Sequence, residues 1–381
     1  MQAIPLIFWL CIGLVIYSYA LYPVLLLAIY PFTRQPNWPA GADAPSVRVA
    51  VLVSAYNEEA HIKARVENLL SQEYPPELLT IYVGSDGSTD KTNAILRSIS
   101  NARVKSFLYD VNRGKANVVN SLLESISEPV VVFTDANTEF SPDAIRKLTE
   151  PFADPSIGCV CGELKILGAS GENQDSTLWR AEQFLKVAES GIGGLLGANG
   201  GIYAIRRGLY VPLEADAIID DFQISMAVLA QGYRSVYRRD AIAIEDSPPS
   251  IADEFRRRIR IGIGNYQALF RHPEYFLRTT LATKFTYVSH KVLRWMTPVL
   301  LLAALAANCA LIRVPLYAGL LVLQVSGYAL CFLMYSLRNR IRLPKLIALP
   351  VQLVMLNYAF LVALQAFIRG NYKATWRRTE R

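Results

Sequence analysis

The chain has 381 residues, of which 52% are hydrophobic and only 19% charged, with a formal net charge of +7. A soluble globular chain carries roughly 25% charged residues, so the composition excludes an ordinary soluble protein, and the average hides a division into apolar ends and a charged middle. Basic residues flank the apolar runs and fill the tail at Lys373, Arg377, Arg378 and Arg381, which suits anionic lipid head groups; with no nucleic-acid motif and no basic stripe interleaved with aromatics, no nucleic acid is expected as a partner.

Residues 4–31 are almost continuously apolar and carry no charge. The run is too long for the apolar part of a signal peptide and predicts a transmembrane helix within residues 1–33. No Lys or Arg precedes it, whereas Arg34, Arg48, Lys63 and Arg65 follow. The positive-inside rule then puts the amino terminus outside and the middle domain in the cytoplasm.

The middle, residues 46–270, alternates two kinds of segment. Residues 47–54, 79–84, 103–109 and 129–134 read as strands, and 58–71, 91–100 and 115–127 have helical spacing. The alternation predicts an α/β fold, a mostly parallel sheet with helices on both faces. Cys159 and Cys161 form a Cys-x-Cys with no second ligand pair nearby, so they read as core packing rather than a zinc site. An odd total of five cysteines argues against a disulfide framework. Residues 175–189 read as an amphipathic helix with Trp179 and Phe184, either packed on the core or lying at the membrane surface beneath an acceptor.

Residues 271–291 read as an interfacial segment, ending in His290 and Lys291 just before Arg294 and Trp295. A C-terminal region of two to three helices, 292–368, follows with apolar runs near 292–312, 316–336 and 346–368, and then a basic tail, 369–381. The last run contains Pro350, Gln352, Asn357 and Gln365, which leaves open whether it is a simple span and on which side the tail lies.

Ligands of a doubly wound sheet gather at the carboxyl ends of its strands. Three predicted strands end in polar clusters there: Ser54 to Glu59, Gly84 to Asp90, and Thr134 to Thr138. Each alone could be a cap or a turn, a role that Asn57, Ser88 and Asp90 fit well; three at one edge, each with a carboxylate, point to a site. Asp86 is acceptor-only when ionised and suits a uracil or ribose group, with Asn57 and Glu58 near enough to line the same base pocket. Lys115 follows Gly114 at a predicted helix start, where an anion is favoured, although a surface lysine is the plainer reading. Asp220 and Asp221 open a helical run, as caps or as a base. Arg257 and Arg260 share a helix face and can grip an anion bidentately, or touch lipid head groups. Asn199, Gly200 and Gly201 sit in a glycine cluster that lets backbone approach a ligand closely. His61, His272 and His290 are scattered, and no Ser/His/Asp or Cys/His constellation suggests a hydrolase.

These residues, taken in order, resemble the family 2 glycosyltransferases, whose fold is called GT-A. The resemblance runs over residues 48–270, through Ala55-Tyr56-Asn57-Glu58, Ser85-Asp86-Gly87-Ser88-Thr89-Asp90, Asn112-Arg113-Gly114-Lys115-Ala116, Asp135-Ala136-Asn137, Gly200-Gly201 with Arg206-Arg207, Asp220-Asp221 and Arg257-Arg258-Ile259-Arg260. The membrane flanks resemble its polysaccharide-making branch. The resemblance implies a nucleotide-sugar donor, UDP-linked, held by Tyr56, Asn57, Glu58, Asp86, Lys115 and Asp135. It implies a divalent cation, Mg²⁺ or Mn²⁺, on Asp135 and Asn137; the neutral Asn137 stands where the family has a second acid, which predicts a weaker metal, with metal independence as the alternative. Asp221 becomes the general base, beside Asp220 in place of the family's usual Glu. Arg257 and Arg260 meet the diphosphate, and Ile261 stands where the family has Trp, which weakens the case for polymer extrusion. Asn199, Gly200 and Gly201 lie near the acceptor.

The function so implied is inverting transfer of a sugar to a growing glycan or lipid-linked acceptor in exopolysaccharide biosynthesis, at a bacterial inner membrane, with membrane lipids and export subunits as further partners. The competing reading is a catalytically degenerate GT-A membrane subunit acting as assembly partner or nucleotide sensor. A transporter or channel is a third, and leaves the acidic clusters unexplained.

Overall fold

The computed structural model describes residues 3–33, 47–167, 177–246, 251–338 and 344–372. Arg34 and the basic tail from 373, on which the charge reading partly rests, lie outside the described residues, as do residues 175 and 176 and the Trp179 side chain. The chain divides into two compact units: residues 26–249 with 272–287, and residues 1–25 with 250–271 and 288–372.

The strands are β1 (Val49–Ala55), β2 (Leu79–Asp86), β3 (Val104–Tyr109), β4 (Val130–Asp135), β5 (Thr138–Phe140), β6 (Ile157–Leu167), β7 (Tyr203–Arg206) and β8 (Arg234–Asp246). The α-helices along the chain are α1 (Ala3–Ile16), α2 (Tyr22–Ile29), α3 (Ile62–Leu70), α4 (Thr92–Ser98), α5 (Lys115–Ser125), α6 (Ala144–Thr149), α7 (Thr177–Gly191), α8 (Asp220–Ala230), α9 (Ile251–Arg271), α10 (Glu274–Leu277), α11 (Leu281–Thr286), α12 (Leu293–Ala310), α13 (Pro315–Leu337) and α14 (Lys345–Ile368).

In the first unit the strands form one sheet in the order β3-β2-β1-β4-β7-β6-β8-β5. The β3-β2-β1-β4 half is parallel, as the alternation predicts. Beyond β4 the sheet is mixed: β7 runs antiparallel to both β4 and β6, β8 is parallel to β6, and β5 is antiparallel to β8. β1 is buried along its whole length, which explains its unbroken apolar sequence. Val49, Val51 and Val53 pack with Ile62, Val66 and Leu69 of α3 on one face. Ala50 and Leu52 pack with Val118 and Leu122 of α5 and Val228 of α8 on the other. Cys159 and Cys161 are both fully buried among apolar side chains, as the core-packing reading expects.

Register brings the polar clusters together. Ser54 pairs with Gly84 on one side and Asp135 on the other, and Asp86 pairs with Tyr109, so all three clusters end at one sheet edge.

Four helical stretches are long and apolar enough to cross a membrane: Ala3–Phe32, Leu281–Ala310, Pro315–Leu337 and Ile347–Ile368. The second starts at Leu281, inside the segment expected to be interfacial. Thr283, Thr286, Ser289 and His290, all buried, mask it in the sequence. Two of these residues are seen hydrogen-bonded: Thr286 Oγ1 donates to the Thr283 carbonyl at 3.0 Å, and the Ser289 carbonyl accepts from Ser18 Oγ, distant in sequence, at 2.9 Å. α14 continues through Pro350, and Asn357 Nδ2 donates to the Leu353 carbonyl at 2.8 Å within the helix, which removes the cost of that amide in an apolar setting. Within the helical unit α9 packs on α14 through small residues; a Cβ on Gly262 would lie 2.7 Å from Ala363 Cβ.

Candidate active site

The loops after β1 and β2 are knitted together by side chains. Asn57, left-handed at φ 56°, donates its N–H to Ser88 Oγ at 3.0 Å and accepts the Thr89 N–H on Oδ1 at 2.8 Å. Asp90 accepts the N–H groups of Glu59 at 3.1 Å and Thr92 at 2.9 Å. The capping role open to Asn57, Ser88 and Asp90 is thus realised, and Tyr56 and Glu58 stand half-buried at the same strand end.

Asp86 is engaged by the backbone. It has no exposed surface; its Oδ1 accepts the Arg113 N–H and its Oδ2 the Gly114 N–H, both at 2.8 Å. A carboxylate so held anchors a loop, and the reason is Gly114. This residue caps α5 at φ +87°, a conformation that needs glycine and an external acceptor for its N–H. The clamp fixes the start of α5 and so aims Lys115.

Lys115 is the centre of the charge cluster. Its Nζ donates to Asp135 Oδ1 at 2.9 Å and lies 3.1 Å from Asp220 Oδ2. Burial works against the charged ammonium, but Asp135 and Asp220 outweigh it and hold the lysine protonated well above its ordinary range. Asp221 follows on the first turn of α8, where its Oδ1 accepts the Phe222 N–H at 2.8 Å. Burial and the adjacent Asp220 push the Asp221 carboxyl up to about 6, against the opposing pull of Lys115. A carboxylate of that basicity is ionised at neutral pH and still able to take a proton, as a general base requires.

Asn199 and Ile202 close a tight turn, with the Ile202 N–H donating to the Asn199 carbonyl at 2.9 Å. A methyl at Gly200 would sit 3.1 Å from Asp221 Oδ2 and crowd that carboxylate, so the turn lies directly against it. A buried relay supports this wall. Arg65 Nη2 donates to Thr134 Oγ1 at 2.6 Å, and Thr134 Oγ1 donates to the Gly201 carbonyl at 2.8 Å. Asp135, Asp220, Asp221 and the Gly200 turn are thereby assembled from separate stretches of chain around one ammonium.

A model of the family described as "Glycosyl transferase family group 2" matches residues 130–362, more than half of the chain, and one described as "Glycosyl transferase family 2" matches residues 50–207. The chain belongs to glycosyltransferase family 2. Among curated family-2 relatives, the poly-beta-1,6-N-acetyl-D-glucosamine synthase of Staphylococcus aureus (strain COL) is 26% identical over 249 residues, 62% of this chain and 58% of its own. The enzyme of the same name from Staphylococcus epidermidis (strain RP62A) is 25% identical over 237 residues, 58% of this chain and 56% of its own. The chain therefore matches between half and two thirds of the length of these relatives. A solved structure of the mannosyltransferase PcManGT from Pyrobaculum calidifontis, in complex with GDP-Man and Mn²⁺, superposes with a TM-score of 0.72 at 22% identity, covering 96% of this chain and all of that one. At that identity the likeness shows the GT-A fold.

Whether family-2 metal chemistry suits these residues can be judged from their donors. Asp135 and Asn137 offer oxygens two residues apart on the β4–β5 turn. The Asn137 amide nitrogen donates to Glu245 Oε1 at 3.1 Å, so its carbonyl end is the one left to face a cation, and a carboxylate on β8 stands beside the position where a second acid is missing. All are hard oxygen donors, which suits Mg²⁺ or Mn²⁺. Among the described residues no group of three His, Cys, Asp or Glu is placed to hold a metal by itself. The set fits a cation that completes its shell with phosphate oxygens of the substrate.

Not every predicted residue belongs to the sheet unit or faces a ligand. Arg257 and Arg260 lie exposed on α9, in the helical unit, so their assignment to the diphosphate rests on the sequence pattern alone. Arg206, part of the matching motif, donates to the carbonyls of Ile157 and Phe152 at 2.8 Å and of Asp154 at 2.9 Å, a structural role. Arg65 was missed as a site residue. Its signal was available: it shares the buried stripe of α3 with Ile62, Val66 and Leu69, and a charge on such a stripe needs a reason.

Proposed function

We propose that this protein transfers a sugar from a nucleotide sugar, UDP-linked, to a growing glycan or lipid-linked acceptor at the membrane, with inversion, in exopolysaccharide biosynthesis. The observation that carries the proposal is Asp221: a carboxylate pushed up to about 6, on a helix N-terminus, against a glycine turn and beside the Lys115 cluster. The names of the staphylococcal relatives support the product class, and the archaeal mannosyltransferase, solved with GDP-Man and Mn²⁺, supports a nucleoside-diphosphate sugar with a divalent cation.

In this reading the acceptor hydroxyl oxygen attacks the anomeric carbon from the side of Asp221 and gives its proton to that carboxylate. The bond from the anomeric carbon to the diphosphate oxygen breaks, and the nucleoside diphosphate leaves with the electron pair. Lys115 places its positive charge where the leaving group develops negative charge. Asp135 and Asn137 would hold the divalent cation, which supplies further charge neutralisation there. Tyr56, Asn57, Glu58 and Asp86 are assigned to the nucleotide, and Asp86 also sets the start of α5. Asn199, Gly200 and Gly201 wall the acceptor side, and Arg257 and Arg260 are assigned to the diphosphate. The positive-inside pattern supports a cytoplasmic face of a bacterial inner membrane for the sheet unit, with membrane lipids around the helices and export subunits as partners.

The test is turnover of the protein in lipid nanodiscs with a panel of UDP- and GDP-sugars and Mg²⁺ or Mn²⁺. Nucleotide release with one donor, and label in a lipid-extractable or polymeric fraction, is expected. Tight nucleotide binding with no release from any donor, in native lipids with their partner proteins, would instead mark a degenerate assembly subunit.

A further inference from the structure

The Gly200 turn has a second occupied side. Asn199, the first residue of that turn, is 8% exposed and fixed at three points. Its Nδ2 donates to the Gly162 carbonyl at 2.6 Å, its N–H to Cys161 Sγ at 3.2 Å, and its Oδ1 accepts from Lys186 Nζ. Lys186 projects from α7 and is half-buried. Among the described residues it makes no ion pair; Asn199 is its one hydrogen-bond partner. An ammonium carries three N–H donors, so two are left. A cation partly removed from water with no counter-charge costs free energy unless something else answers its donors.

Among the described residues none of the nearby acids answers them: Glu163 on β6 and Glu182 and Glu189 on α7 form no ion pair with Lys186. Glu163, on β6, accepts from Gln183 Nε2 at 2.7 Å and from Tyr237 OH at 2.9 Å. Tyr237 also donates its N–H to Ser190 Oγ at 2.9 Å, which ties β8 to the end of α7. Lys186 is therefore presented by a frame pinned at Gln183 and Ser190, one turn before and one turn after it. A rigid frame holding a spare donor is what recognition of a small oxygen group requires.

Asp221 stands against the same turn, at Gly200. An acceptor whose hydroxyl reaches Asp221 brings its neighbouring oxygens alongside residues 199–202. We infer that Lys186, seated on Asn199, binds the acceptor glycan by donating hydrogen bonds to a hydroxyl or exocyclic oxygen of its terminal sugar. The inference rests on the proposed transferase function and adds the side chain that separates transfer to a glycan from loss of the sugar to water.

The test compares the unaltered protein, Lys186→Met and Lys186→Arg in nanodiscs, with UDP-N-acetylglucosamine as donor and β-1,6-linked N-acetylglucosamine oligosaccharides as acceptor probe. Transfer and acceptor-independent donor hydrolysis are read separately, with thermal unfolding as a fold control. A charged hydrogen bond lost is expected to raise the acceptor KM about 10- to 100-fold. The ratio of transfer to hydrolysis falls with it in Lys186→Met, and Lys186→Arg recovers part of it. Parallel loss of transfer and hydrolysis would make Lys186 a donor-site or structural residue and overturn the inference. An unaltered ratio would overturn it, as would hydrolysis by the unaltered protein without elongation of the oligosaccharide. If the unaltered protein neither transfers nor hydrolyses any nucleotide sugar, the transferase reading itself fails and this inference falls with it.

Discussion

Asp221→Asn is expected to lower sugar transfer by about 10²- to 10⁴-fold, the usual contribution of a positioned general base, while nucleotide binding persists. The amide keeps the shape and still accepts the Phe222 N–H, but it cannot take the acceptor's proton. In the unaltered protein the same group sets the pH profile. The carboxyl must be ionised to act, and burial with Asp220 pushes it up to about 6. kcat/KM should therefore rise with pH through about 6 and level off above it. Asp220→Asn removes the neighbouring negative charge that raises Asp221, so the acidic limb should move to lower pH. A profile flat from about pH 5 to about pH 8 at constant metal and nucleotide would remove Asp221 from the proton transfer.

The second large effect is at Lys115. Lys115→Met leaves Asp135 and Asp220 without the ammonium that now lies 2.9 and 3.1 Å away. Loss of one preorganised charge at the leaving group is worth about 10²- to 10³-fold in kcat. The uncompensated, partly buried acids should also cost on the order of 3 kcal/mol of stability, read as a lower melting temperature. Because Lys115 pulls the Asp221 carboxyl down, its removal should shift the acidic limb to higher pH, opposite to Asp220→Asn. Opposite shifts from two neighbours of one carboxylate are a signature that misfolding would not reproduce. Lys115→Arg should restore charge but not geometry, because the planar guanidinium cannot bridge two carboxylates from the same point as an ammonium.

Much of this was legible in the residues. The runs at 47–54, 79–84 and 129–134 became β1, β2 and β4, because buried parallel strands are written as apolar runs that end in turn chemistry. Their shared edge followed from the alternation, and the register confirms it at Ser54, Gly84 and Asp135. The mixed half of the sheet was largely hidden. β8 contains Arg234, Arg238, Arg239 and Asp240, and its pairing with β6 has a register irregularity between Gly162 and Glu163, so neither a clean period nor an apolar run marks it. Partner choice was hidden too. Nothing along the chain says that Asp86 accepts the N–H groups of Arg113 and Gly114, or that Lys115 reaches Asp220, far away in the sequence. Those facts depend on where separate loops meet. Lys186 and Glu163 were unmarked for the same reason, since a lysine on an amphipathic helix reads as solvated until its neighbours are known.

The most direct test of the central claim is the stereochemistry of a single transfer. The protein in nanodiscs would be given an α-linked UDP-sugar, chosen as the donor that supports release, and the anomeric proton of the first product would be read by NMR before any later step. One displacement with Asp221 as base predicts a β-linkage, absent from the product of Asp221→Asn. An α-linked product would mean retention, and the single-displacement account built on Asp221 would be wrong.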